Sequence, residues 1–180
     1  HIVRGDVDRA LSESATVIRE RFQTPFTEHA FMEPESAMAY YDDEGVLNVK
    51  VGTQNIHHDA HCLMHILGLP AEKIRVHAQT IGGAFGGKED LTVQHHAALL
   101  CYHTHRPVKL TFTREESLRV HPKRHPMQFE MELGLDKEGR FKGLRGKVIA
   151  DTGAYASLGA GVMRRAVTHL CGPYRMPNID

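Results

Sequence analysis

The densest chemical signal in the chain is the run Ile81-Gly82-Gly83-Ala84-Phe85-Gly86-Gly87-Lys88-Glu89. A tight strand-to-helix turn can use glycine for positive φ. Four glycines around one aromatic exceed that need. They suit a backbone that approaches a ligand closely and offers N–H donors at a helix start. Gly82, Gly87 and Lys88 fall at the spacing of a phosphate-binding P-loop, but Glu89 stands where that loop needs a hydroxyl for Mg²⁺. A carboxylate there would repel bound phosphates, which argues against a nucleotide site. The G-x-G-x-x-G dinucleotide pattern is also absent.

Other residues compete for a chemical role. Gln54 closes a strand and reads either as a hydrogen-bonding ligand contact or as a plain polar strand end. Glu89 reads as a ligand-gripping carboxylate or as an acid favoured at a helix start. His57, His61 and His65 recur every fourth residue with His58 beside them, a spacing that can hold Zn²⁺ or Ni²⁺. Asp59-Ala60 break any H-E-x-x-H order, so the simpler reading is a polar helix face. His95-His96 read as structural or exposed, and Arg119 to His125 as a solvated basic loop. Cys62, Cys101 and Cys171 are too scattered for a disulfide framework and read as three reduced thiols, with Cys101 in the core; one disulfide with one thiol left over is the rival reading.

The elements that must position these groups follow from periodicity. Alternation predicts strands over 16–24, 37–41, 46–51, 73–80, 107–113, 127–135 and 140–151. Helical spacing predicts helices near 6–14, 56–68 and 89–103, with mixed glycine and helix signals over 159–170. Strands pair as hairpins and are also joined through helices. The class is therefore α+β, a mixed sheet with helices packed on it, over one domain spanning 1–180.

Composition narrows the partners. The chain has 180 residues, 41% hydrophobic and 24% charged, as in an ordinary globular protein. Its 22 Lys+Arg balance 22 Asp+Glu, so there is no general attraction to nucleic acid or an anionic membrane. The 14 histidines would turn it basic on mild acidification. No apolar run approaches the roughly 18 residues of a membrane span, and no signal peptide is visible. A cytoplasmic location is expected. The start at His1 and the end at Asp180 predict a piece cut from a longer chain.

The glycine run resembles the signature of the molybdenum-binding domain of the xanthine dehydrogenase/aldehyde oxidase family. The surrounding order is similar too: Glu33-Pro34-Glu35, Thr53-Gln54-Asn55, Arg106-Pro107-Val108-Lys109 before Thr113-Arg114-Glu115-Glu116-Ser117, His125-Pro126, and Arg164-Arg165-Ala166 before Pro173-Tyr174. The resemblance covers roughly residues 6–180 and looks closest to bacterial xanthine dehydrogenase-like members. It implies the first part of a larger cofactor-binding region in a molybdenum hydroxylase, an oxidoreductase that hydroxylates a heterocycle or aldehyde with oxygen from water.

The resemblance also assigns roles. It implies that Gln54 donates toward a molybdenum oxygen, and that Gly83, Phe85 and Gly86 place backbone near the metal oxygens and the pterin. Glu89 resembles the carboxylate that grips a purine, and Arg165 the arginine that orients substrate and stabilises developing negative charge. Together they imply a purine or related N-heterocycle. No residue here is implied to ligate molybdenum directly. The molybdenum–pterin cofactor is expected to be shared with missing parts of the enzyme, and iron–sulfur clusters and FAD to sit on other domains or subunits. The family's G-x-G-E base does not occur in the chain, so the fragment alone is expected to be inactive and to expose surface that favours self-association. A basic patch at Arg119, Lys123 and Arg124 for the pterin's tail is a minor alternative. Two rival readings remain: a non-catalytic molybdopterin-binding or assembly module, and a histidine-based zinc protein of the same fold.

Overall fold

The computed structural model describes residues 1–180, which divide into two compact units, 28–124 and a second formed by 1–27 with 125–180. The expected mixed sheet is realised twice, one four-stranded sheet in each unit.

In the 28–124 unit, β2 (Ser36–Tyr41) and β3 (Leu47–Val51) form a hairpin around the 42–46 turn. Asp42 builds that turn: its carboxylate accepts from the N–H groups of Glu44 and Val46 and from the Asn48 amide. β3 then crosses through α2 (Ile56–Leu67) into β4 (Ile74–Ala78), which runs parallel to it. A helical crossover is what allows a parallel neighbour. β5 (Val108–Thr111) adds to β2 on the other side, giving the order β4-β3-β2-β5. α2 and α3 (Gln94–Thr104) pack on this sheet. Their buried stripes, Leu63 and Leu67 with Ala97, Ala98 and Cys101, meet Ala37, Ala39, Leu47, Val49 and Val51. Small residues on α3 bring it close to the strands.

In the other unit, α1 (Val7–Ser12) starts at Asp6, whose carboxylate caps Arg9 N–H. β1 (Thr16–Thr24), β6 (Met127–Leu135), β7 (Phe141–Ala150) and β8 (Asn178–Ile179) form the second sheet in that order. α1 buries Val7, Ala10 and Leu11 against β6 and β7. Gly134 and Gly143 make that approach possible: side chains there would run into Ser14 and Leu11, and into Ala10. α5 (Gly159–Thr168) follows β7.

Two sequence expectations need correction. The helix expected at 89 starts at Gln94, and residues 81–93 form turns and bends instead. The Gln94 side chain holds the Thr92 and Val93 N–H groups, which delays the helix to that point. The stretch expected to be a solvated loop from Arg119 is partly α4 (Arg114–Val120), and both Ser117 and His121 are buried. Near the C-terminus, β8 runs parallel to β7. No helix is long and apolar enough to cross a membrane.

Candidate functional site at the glycine loop

The loop 81–89 is fastened by side chains from two other segments. Gln54 lies just after β3 and points its carbonyl oxygen at the Gly86 and Lys88 N–H groups, 3.1 and 3.3 Å away. Its backbone N–H donates to the Lys88 carbonyl at 2.9 Å. The amide carbonyl is thereby committed to the loop, and the NH₂ end of an exposed side chain is left to donate.

Glu33 holds the other end. One carboxylate oxygen accepts from Gly82 N–H at 2.6 Å and from Lys88 Nζ at 2.9 Å. Burial alone would raise the Glu33 carboxyl, but the Lys88 ammonium and the Gly82 N–H outweigh it and hold the group below its ordinary value. Lys88 is buried, with its ammonium 4.8 Å from the Phe31 ring centroid. It is therefore a structural cation, not one available to a phosphate, which agrees with excluding a P-loop. Spacing marks Lys88 only as the lysine of an incomplete P-loop and does not mark Glu33, whose one visible signal is the Glu33-Pro34-Glu35 motif.

The glycines are needed where backbone meets backbone or ring. A side chain at Gly87 would stand 2.6 Å from the Phe31 ring, and one at Gly82 would stand 2.7 Å from the Glu33 Cβ. Gly83 and Gly86 take φ of +93° and +96°. Phe85 takes φ +52°, a strained conformation for a bulky residue, and its side chain is 65% exposed. An exposed, strained aromatic between two positive-φ glycines has no packing purpose of its own.

Gly83, Phe85, Gly86 and Glu89 thus lie on one loop of the 28–124 unit, with Gln54 bonded to it. Glu89 is half-buried and follows directly on Lys88. It stands five residues before α3, so neither it nor the loop N–H groups serve a helix start, contrary to expectation. Arg165 belongs to the other unit, exposed on α5 beside exposed Arg164.

The histidines settle elsewhere. His57, His61 and His65 are exposed on α2, with the His61 and His65 rings 4.3 Å apart. His58 lies 3.6 Å from the Cys62 thiol. His95 and His96 stack at 3.9 Å, and burial pushes His95 toward its neutral form. All three cysteines are free, and Cys101 is in the core as expected.

The family model described as "Molybdopterin cofactor-binding domain" matches residues 1–180. The chain belongs to that family. Among curated relatives, it is 46% identical over 179 residues to the nicotinate dehydrogenase large molybdopterin subunit of Eubacterium barkeri, covering 99% of this chain and 42% of that protein. It is 43% identical over 175 residues to a probable xanthine dehydrogenase component of Bacillus subtilis (strain 168), covering 97% of this chain and 24% of that one. Among solved structures, the aldehyde oxidoreductase of Desulfovibrio gigas superposes with a TM-score of 0.94 at 24% identity, over 99% of this chain and 20% of that one. The CO dehydrogenase of Oligotropha carboxidovorans gives 0.81 at 26% identity, over 99% and 23%. The chain spans less than half the length of each of these proteins.

The family's cofactor fits the residues present. A glycine cradle with a committed Gln54 carbonyl and a free amide NH₂ suits an oxygen-rich, anionic group approaching the Phe85-Gly86 backbone. Gln54, Gly83, Phe85 and Gly86 are the residues that would hold it.

Proposed function

We propose that this molybdopterin cofactor-binding domain is the cofactor- and substrate-contacting part of a molybdenum hydroxylase. The enzyme oxidises a purine or related N-heterocycle with water as the oxygen source, and this chain alone does not turn over. When bound, the molybdenum–pterin group supplies the hydroxylation chemistry and accepts the electrons. The chain's own residues bind and orient. Gln54 donates its NH₂ toward an oxygen of the group, and the Phe85-Gly86 backbone lies against it. Glu89 accepts from a ring N–H or hydroxyl of the substrate. Arg165 offers a fixed positive charge where negative charge develops on the ring.

The observation that carries this reading is the anchoring of Gln54. Its carbonyl is consumed by the Gly86 and Lys88 N–H groups, so only donor capacity remains toward the ligand side. The roles that the resemblance assigns to Glu89 and to Arg165, each taken by itself, favour a polar heterocycle over an aldehyde, which would have no use for both charges. The relatives named for nicotinate and xanthine oxidation point the same way. Iron–sulfur clusters and FAD on other domains or subunits would carry the electrons onward. Three free thiols support a cytoplasmic setting.

The test is elemental analysis by mass spectrometry of the full-length protein purified from its own host. Molybdenum near one per active unit, with iron in excess, is expected. E89A and R165A should then depress turnover of a purine far more than that of an aldehyde. Absence of molybdenum in a host that makes the cofactor would overturn the reading in favour of a non-catalytic module.

A further inference from the structure

Beneath the glycine loop lies a group of polar side chains that the cofactor reading does not use. His121, just past α4, is 2% exposed. Its Nε2 lies 2.7 Å from Glu28 Oε1, and its Nδ1 lies 3.3 Å from Glu35 Oε1. Glu35 is equally buried, and neither of its oxygens has a hydrogen-bond partner. The His29 ring is 6.1 Å from the His121 ring, and its buried Nδ1 also lacks a partner. Leaving buried polar atoms unsatisfied is costly. Several orphans around one point indicate that something completes them.

We propose that Glu28, His29 and His121 form a divalent metal site of the zinc class, a structural fastening under the glycine loop and separate from the molybdenum chemistry. One ligand atom from each lies within 4.8 Å of the other two. Two imidazole nitrogens and one carboxylate oxygen are a common zinc donor set, with water as the fourth ligand. Bonds of about 2.0 Å set tetrahedral ligand atoms about 3.3 Å apart. Side-chain rotations on the order of an ångström therefore gather the set.

The buried Glu35 carboxylate supports a cation here, against the nearby positive charges of Lys123 and Arg124. With Nε2 on the metal, His121 presents Nδ1–H to Glu35. That is the carboxylate behind a metal-bound histidine, which fixes the tautomer and strengthens the ligand. It also gives the orphaned Glu35 a purpose. Glu28 Oε2 pairs with Lys123 Nζ at 3.2 Å, and Oε1, which also accepts from the Ala30 N–H at 3.1 Å, faces His121 and is the oxygen that would meet the metal. The His29 ring contacts the loop: its Nδ1 would lie 3.0 Å from a side chain at Gly87, and its Nε2 3.6 Å from one at Gly86. Fixing His29 would fix the floor under both glycines.

The test uses the full-length protein, washed with chelator and resupplied with ZnCl₂ alone. Zinc is counted by elemental mass spectrometry, and melting is followed with and without zinc. The native protein should retain one zinc more per copy than H29Q or H121Q. The H61Q/H65Q double variant on the exposed α2 pair should retain it in full. Zinc should raise the melting temperature of native protein but not of H29Q, whose position is only half-buried and tolerates the change if H121Q does not fold. Equal zinc in native protein and H29Q, or loss confined to H61Q/H65Q, would overturn the proposal.

Discussion

Glu33 and Lys88 close the glycine loop on itself: one carboxylate oxygen binds both the Gly82 N–H, where the loop begins, and the Lys88 ammonium, where it ends. The two partners are not equivalent. Lys88 is buried, whereas 42% of the Glu33 side chain is exposed. Removing Glu33 strands a buried ammonium; removing Lys88 leaves a carboxylate that water can reach. E33Q should therefore cost about 3 kcal/mol and K88M distinctly less. Urea unfolding of both variants decides the order, and an equal loss would refute the asymmetry.

The same pair sets an acid limit. Glu33 is held below its ordinary value of 4.5 in the folded state. A depressed folded value contributes stability that is present above 4.5 and is lost as pH falls through the folded value. Native protein should lose stability over that acid window more steeply than E33Q, in which the group is absent. Urea midpoints across the window for both proteins give the comparison.

Gly87 is required by packing rather than by φ. G87A would drive its methyl into the Phe31 ring and the His29 imidazole, costing about 1–3 kcal/mol. G45A has open space, and its cost, about 1 kcal/mol, comes from φ +70° alone. Hydrogen exchange separates the two further. G87A should speed exchange at the Gly86 and Lys88 N–H groups, and G45A should leave them unchanged.

Much of this site was legible because its signals are local. Alternation located β2 and β3, helical spacing located α2, and the glycine run marked the loop. The resemblance carried by that run singled out Gln54. What was hidden depends on contacts distant in sequence. Glu33 meets Lys88 across 55 residues and His121 meets Glu28 across 93, and no spacing rule encodes either. The late start of α3 turns on one glutamine side chain that satisfies the N–H groups ahead of it. α4 was the avoidable omission: Thr113 and Glu116 spell a capping box, but the charged run after them carries too few apolar residues to show a helical stripe.

That capping box gives a direct measure of α4. Thr113 Oγ1 accepts from the Glu116 N–H at 3.2 Å, and Glu116 accepts from the Thr113 N–H at 2.8 Å. T113A should cost about 1 kcal/mol, with T113S close to neutral because the hydroxyl remains. Thermal unfolding of the pair tests this, and faster exchange confined to α4 amides in T113A would locate the loss.

Asp59 presents the opposite electrostatic case to Glu33. It is fully buried in the first turn of α2, and one oxygen accepts from the Gln94 amide at 3.1 Å. Burial raises its carboxyl above 3.8, against the pull of its Thr53 and Gln94 hydrogen bonds. A raised folded value means the folded chain holds the proton more tightly than the unfolded one. The stability tied to that proton is present below 3.8 and is lost as pH rises through the folded value. At neutral pH the charged Asp59 is thus a net cost, and an amide of the same shape avoids it while keeping an oxygen for Gln94. D59N should be at least as stable as the native chain at neutral pH. It should fall behind only in acid, where the native carboxyl is protonated and can donate. Urea midpoints for both proteins from acid to neutral pH should therefore cross, and parallel curves would show that Asp59 is compensated by a partner other than Gln94 and Thr53.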